Sequence, residues 1–142
     1  MKLLTECVRA ISDHIGELLT KRTRRLADYF AALDLRTVRR WQPKLWLGFS
    51  AERQREFDVR WSDLSALAEA GWRVFVSIAP MIGPGKLPAN FLALGPRTWI
   101  IVAGEQGPHA MCRDTDPDWA RAVSAGAPCP GQAGLILGRV AR

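Results

Sequence analysis

Two carboxylates, Glu52 and Glu105, each stand one or two residues beyond a short apolar run, KLWLGFSAE over 44–52 and TWIIVAGEQGP over 98–108. If both runs are strands pointing the same way, the two acids project over one rim and can divide general acid and general base work. Glu105 has the tighter setting, between Gly104 and the turn Gln106-Gly107-Pro108, which aims a side chain. Glu52 equally suits the start of a helix, where a carboxylate stabilises the dipole. These two residues are the catalytic candidates.

The second available chemistry is anion binding. Thr20, Lys21 and Arg22 close another run, IGELLTKR over 15–22, just ahead of a helical pattern. Backbone N–H groups, the helix dipole and two cations can therefore converge there on a phosphate or carboxylate. Ser50 and Ser77 also end apolar runs and join Thr20, Lys21, Arg22 and Glu105 as the ligand-binding set. No histidine accompanies either serine in a nucleophile elbow, so neither reads as a nucleophile. His109 lies near Glu105 and Cys112, but ligand number and spacing are inadequate and no metal set is assigned. Cys7, Cys112 and Cys129 are odd in number and widely spaced, and are expected as free thiols.

The elements that must position these residues are short, β-branched runs of the kind that form strands buried on both faces. RVFVSIAPMIGPG over 73–85 repeats the layout, and helical patterns separate several of the runs. The expected fold is therefore α/β: a partial (β/α) barrel, a parallel sheet of about four or five strands with crossover helices and one shared carboxyl rim. Residues 3–13 place Leu4, Val8 and Ile11 on one helical face, predicting a surface helix. Leu26, Tyr29, Phe30 and Leu33 predict a first crossover helix from Thr23.

Arg36 to Lys44 reads as a basic, Trp-containing connection, and the charged AERQREFDVR after it shows no clear face. Ser62 as N-cap, Leu64, Leu67 and Ala68 as apolar face and Gly71 at C′ predict a helix over about 62–70. The Gly/Pro-rich stretch 81–96 is expected to be mainly loop, with a short helix around 89–94. Asp116 and Pro117 predict a helix start that runs to about Val123, with Gly126 ending it. The tail 126–142 is expected to be irregular, Leu135 to Leu137 being its only strand-like stretch.

With 142 residues, 48% hydrophobic and 24% charged, the chain suits a single domain over 1–142. No signal-peptide core and no membrane-length apolar run is present, so a cytoplasmic protein with no membrane partner is expected. The formal charge is +6, with the excess before residue 61, notably at Lys21, Arg22, Arg24, Arg25, Arg36, Arg39, Arg40 and Lys44. That balance permits anionic metabolites or nucleic acid as partners. The six tryptophans, at 41, 46, 61, 72, 99 and 119, read as packing residues rather than base-stacking platforms.

Five ordered blocks, LLTKRTRRLADY, WLGFSAERQ, VFVSIAPMIGP, WIIVAGEQGP and DPDWARA, resemble the bacteriophage and bacterial three-Cys-motif family of unknown function. The resemblance spans roughly 14–123 and implies a radical-SAM-like barrel, an iron–sulfur cluster and S-adenosylmethionine as cofactors, and a three-Cys-motif partner. Lys21, Arg22, Ser50, Glu52 and Glu105 match the family pattern. Ala79 stands where an acid is usual, Ala103-Gly104 where two glycines are usual, and the Gly/Pro-rich tail where an aromatic, lysine-containing strand is usual. The cluster-binding cysteines belong to an amino-terminal segment outside this sequence. The resemblance thus implies a truncated, non-catalytic member with no cofactor of its own, binding an anionic ligand or a protein partner. The alternatives are a basic nucleic-acid-binding module, or a half-enzyme completed by a separate cysteine-bearing chain. Uncovered sheet edges make a homo-oligomer or a protein partner the expected assembly.

Overall fold

The computed structural model describes residues 6, 14–105, 112–113, 115–126 and 134–137, with the backbone alone at 124, 126 and 134–137. Five parallel strands lie in sequence order, β1 (Gly16–Thr20), β2 (Leu45–Ser50), β3 (Arg73–Ile78), β4 (Thr98–Val102) and β5 (Gly134–Leu137). Between them run α1 (Thr23–Ala31), α2 (Leu35–Trp41), α3 (Gln54–Glu69), α4 (Ala89–Leu92), a 3-10 turn (Gly95–Arg97) and α5 (Pro117–Gly126). The expected α/β class, parallel sheet and crossover helices are therefore present. The expected helix over 3–13 lies almost wholly outside the described residues.

Three segments depart from the sequence expectation. Arg36 to Trp41 is helical, because Asp34 caps α2 by accepting from the Thr37 N–H at 3.0 Å and the Thr37 hydroxyl at 2.8 Å. α3 begins at Gln54, not near Ser62; Ser62 sits inside it and donates its hydroxyl to the Val59 carbonyl. Phe57, Trp61, Leu64 and Ala68 form its buried stripe at helical spacing, so the early turns are held by packing despite their charge. The tail contains β5, a parallel strand seated on β4 through Trp99 to Val102.

The two sheet faces differ. Leu45, Leu47, Phe49, Val74, Val76, Ile78, Ile100 and Val102 are buried in one core with Phe30, Trp41, Phe57, Trp61, Trp72 and Phe91 from the helices and connections. Edge-to-face rings bind this layer, with Phe30 on Trp72 at 4.9 Å and Trp61 on Phe91 at 5.0 Å between centroids. On the other face Trp46, Phe75 and Trp99 form a second ring cluster, and the Arg73 guanidinium sits 5.7 Å from the Trp46 ring centre. Phe75 lies across Gly48: a Cβ there would stand 2.2 Å from the ring, so only glycine admits it.

Helix ends follow the expected chemistry. Gly71 takes φ 98°, and the Gly71 and Trp72 N–H groups donate to the Ala68 and Leu67 carbonyls, closing α3 in a Schellman motif. Asp116 accepts from the Asp118 N–H at 2.8 Å where α5 starts at Pro117.

Candidate functional site

Parallel pairing in sequence order places the carboxyl ends of β1 to β4 along one rim, where Thr20, Ser50, Ile78 and Val102 end their strands, with Ser77 one residue short of the end of β3. The ladder continues past the strands: Ala51 N–H donates to Ser77 O at 2.8 Å, Met81 N–H to Ala103 O at 2.8 Å and Ile82 N–H to Glu52 O at 3.2 Å. Ser50 and Ser77 are register partners, so the sheet brings those two together. Ser77 is buried and Ser50 half-buried.

Lys21 and Glu52 meet across the β1–β2 junction as an ion pair. Arg60, two turns into α3, reaches the other oxygen of Glu52 at 3.3 Å and also donates to the Ser50 carbonyl. Burial pushes the Glu52 carboxyl up. The Lys21 hydrogen bond, Glu52's own backbone N–H, the Lys21 charge and the Arg60 hydrogen bond outweigh that, and it lies below the usual carboxylate range. Two cations on one carboxylate leave one positive charge over.

Arg22 is exposed and forms the N-cap of α1, with no side-chain cap and no acid in the first turn. Its N–H instead donates to the Thr20 hydroxyl at 3.0 Å. Thr23 beside it is buried and donates to Asp63 at 2.6 Å, tying α1 to α3. α1 itself has no acid in its first turn beside Lys21 and Arg22, and the carboxylate that reaches this turn from α3, Asp63, is engaged by the Thr23 hydroxyl and Arg24.

Glu105 follows β4, two strands from Glu52, or roughly 10 Å between strand axes. Arg113 grips it with both ends of its fork, Nε to Oε2 at 2.9 Å and NH2 to Oε1 at 2.8 Å, and the Arg113 N–H adds a third bond to Oε2 at 2.8 Å. These bonds hold the Glu105 carboxyl at about 2. A carboxylate so acidic is a weak base near neutral pH. The turn Gln106 to Pro108 and His109 lie outside the described residues, as do Cys7 and Cys129.

Sequence reasoning missed Arg60 and Arg113, the partners that define both carboxylates. Arg60 follows from a longer α3, since Glu52 and Arg60 are two turns apart. Nothing local marks Arg113. Between Glu52 and the loop 81–87 lies an open concavity lined by residues that include Arg53, Gln54, Met81 and Lys86. Gln54 fixes that loop, accepting from Lys86 N–H at 2.6 Å and donating to Lys86 O at 3.0 Å. Among the described residues no group of three His, Cys, Asp or Glu is placed to hold a metal ion, and Cys112 is a free thiol. No helix among them is long and apolar enough to cross a membrane.

A family model described as "Protein of unknown function (DUF5131)" matches residues 1–131, and the chain belongs to that family. No curated protein matches it. No solved structure matches it.

Proposed function

Taking the chain as a member of this uncharacterised family, we propose that it is a non-catalytic, radical-SAM-like partial (β/α) barrel that binds a small anionic ligand at the carboxyl rim. One observation carries the reading: Lys21 and Arg60 share the single carboxylate of Glu52 beside the uncapped start of α1. The surplus charge, Arg22 and the α1 N–H groups suit a phosphate or carboxylate. Thr20, Ser50 and Ser77 offer hydroxyl donors along the same rim.

The state of the two acids supports binding over proton transfer. Both are ionised and clamped by cations, Glu105 most strongly. Serving as acid or base would require Arg113 to release Glu105. An iron–sulfur cluster needs close thiolates. The described donors do not fit one, so no step is derived through a cluster or through S-adenosylmethionine.

The test is thermal protection by inorganic phosphate. Phosphate raises the unfolding midpoint, and Lys21→Ala with Arg22→Ala removes the rise. Unchanged protection in that variant overturns the reading.

Strand order favours a second reading, a half-enzyme completed by another cysteine-bearing chain in the cytoplasm. Five parallel strands in sequence order are the pattern of part of a closed barrel, which takes roughly 250 residues. β1 has no neighbour on its outer side in the described sheet. Light scattering across protein concentration tests it: a monodisperse monomer that also ignores a cysteine-bearing partner counts against it.

A further inference from the structure

We infer that the outer face of α2 is a binding site for the phosphate backbone of nucleic acid, separate from the rim. Helix formation over Leu35–Trp41 turns Val38 and Trp41 to the core and brings Arg36, Arg39 and Arg40 to the opposite, exposed side. Arg36 is three and four positions from the other two, so all three guanidinium groups share one flank. None of them has a carboxylate within ion-pair distance among the described residues, whereas Arg24 pairs with Asp28 and Asp63.

Helix stability accounts for two of the three and not for Arg36. Arg39 and Arg40 lie in the last turn, where the helix dipole favours cations. Arg36 lies in the first turn, against the dipole, and repels both neighbours at helical spacing. A polyanion relieves those like-charge contacts. The rise of 1.5 Å per residue sets Arg36 and Arg40 about 6 Å apart along the helix, within a lattice of duplex charges spaced about 1.7 Å along its axis.

A membrane surface fits less well. A surface-lying helix buries an apolar face, but the apolar face of α2 is already in the core, leaving Leu35 as its exposed large hydrophobic residue. With no reader of base edges on this flank, the expected binding is sequence-independent.

The experiment is fluorescence anisotropy of the full chain with two short duplexes of unrelated sequence. Both bind alike, and affinity falls with salt. Arg36→Ala, Arg39→Ala and Arg40→Ala combined lower the slope of log affinity against log salt by about 2.7, or about 0.9 per lost contact. Between about 50 and about 200 mM salt that is about 40-fold less salt sensitivity than the parent shows. The same three positions changed to Gln, which keeps much of each stem, give the same loss, while Lys21→Ala with Arg22→Ala retains the α2 contribution. An unchanged slope in the folded triple variant overturns the site. Equal affinity for poly-glutamate, or binding to anionic vesicles but not to duplex, overturns nucleic acid as its ligand.

Discussion

Arg113 occupies both oxygens of Glu105, through Nε at 2.9 Å and NH2 at 2.8 Å, so the acid that ends β4 is fastened to the segment leading into α5. This fork decides how the carboxylate behaves. Its folded pKa of about 2 lies below the ordinary glutamate value of 4.5, so it contributes stability above pH 4.5 that is lost as pH falls toward 2. In Arg113→Ala the Glu105 carboxyl returns toward 4.5, and the drop in unfolding midpoint between those pH values becomes shallower. NMR titration of the Glu105 side chain checks this; an unmoved titration contradicts the fork.

Arg60 ties α3 to the end of β2 through the Ser50 carbonyl and Glu52. Arg60→Ala removes this donor from the Ser50 carbonyl and from one oxygen of Glu52, which keeps Lys21, and costs about 1–3 kcal/mol in denaturant unfolding. Loss of less than about 0.5 kcal/mol would show that water replaces the guanidinium.

Gly48→Ala forces the Phe75 ring off its seat, since the new Cβ falls 2.2 Å from Cζ. About 1–3 kcal/mol is the expected loss. In a double-mutant cycle Phe75→Leu relieves part of it, giving a favourable coupling. Strict additivity would place the strain elsewhere.

Strands and most caps were legible because the signals are local. Val74 to Ile78 and Trp99 to Val102 are apolar runs bounded by turn residues; Gly71 and the Asp116-Pro117 pair punctuate helices by backbone preference alone. α2 was illegible because over two turns Val38 and Trp41 alone face inward, too few to make a stripe. The charge density of 52–60 hid the Phe57–Trp61 spacing, and with it the reach of Arg60. At the site, positions after strands marked Lys21, Glu52 and Glu105. Their pairing was set by tertiary packing: Glu52 bonds to residues 31 and 8 positions away, and Glu105 to one 8 away.

Phosphate protection measures the surplus cation at the rim most directly. With phosphate in excess of its dissociation constant by about 100-fold, the gain is about 2.7 kcal/mol and the unfolding midpoint rises visibly. Lys21→Ala with Arg22→Ala abolishes the rise, while Arg39→Ala with Arg40→Ala leaves it intact. Protection that survives the first pair, or is lost equally with the second, contradicts a focused anion site at the start of α1.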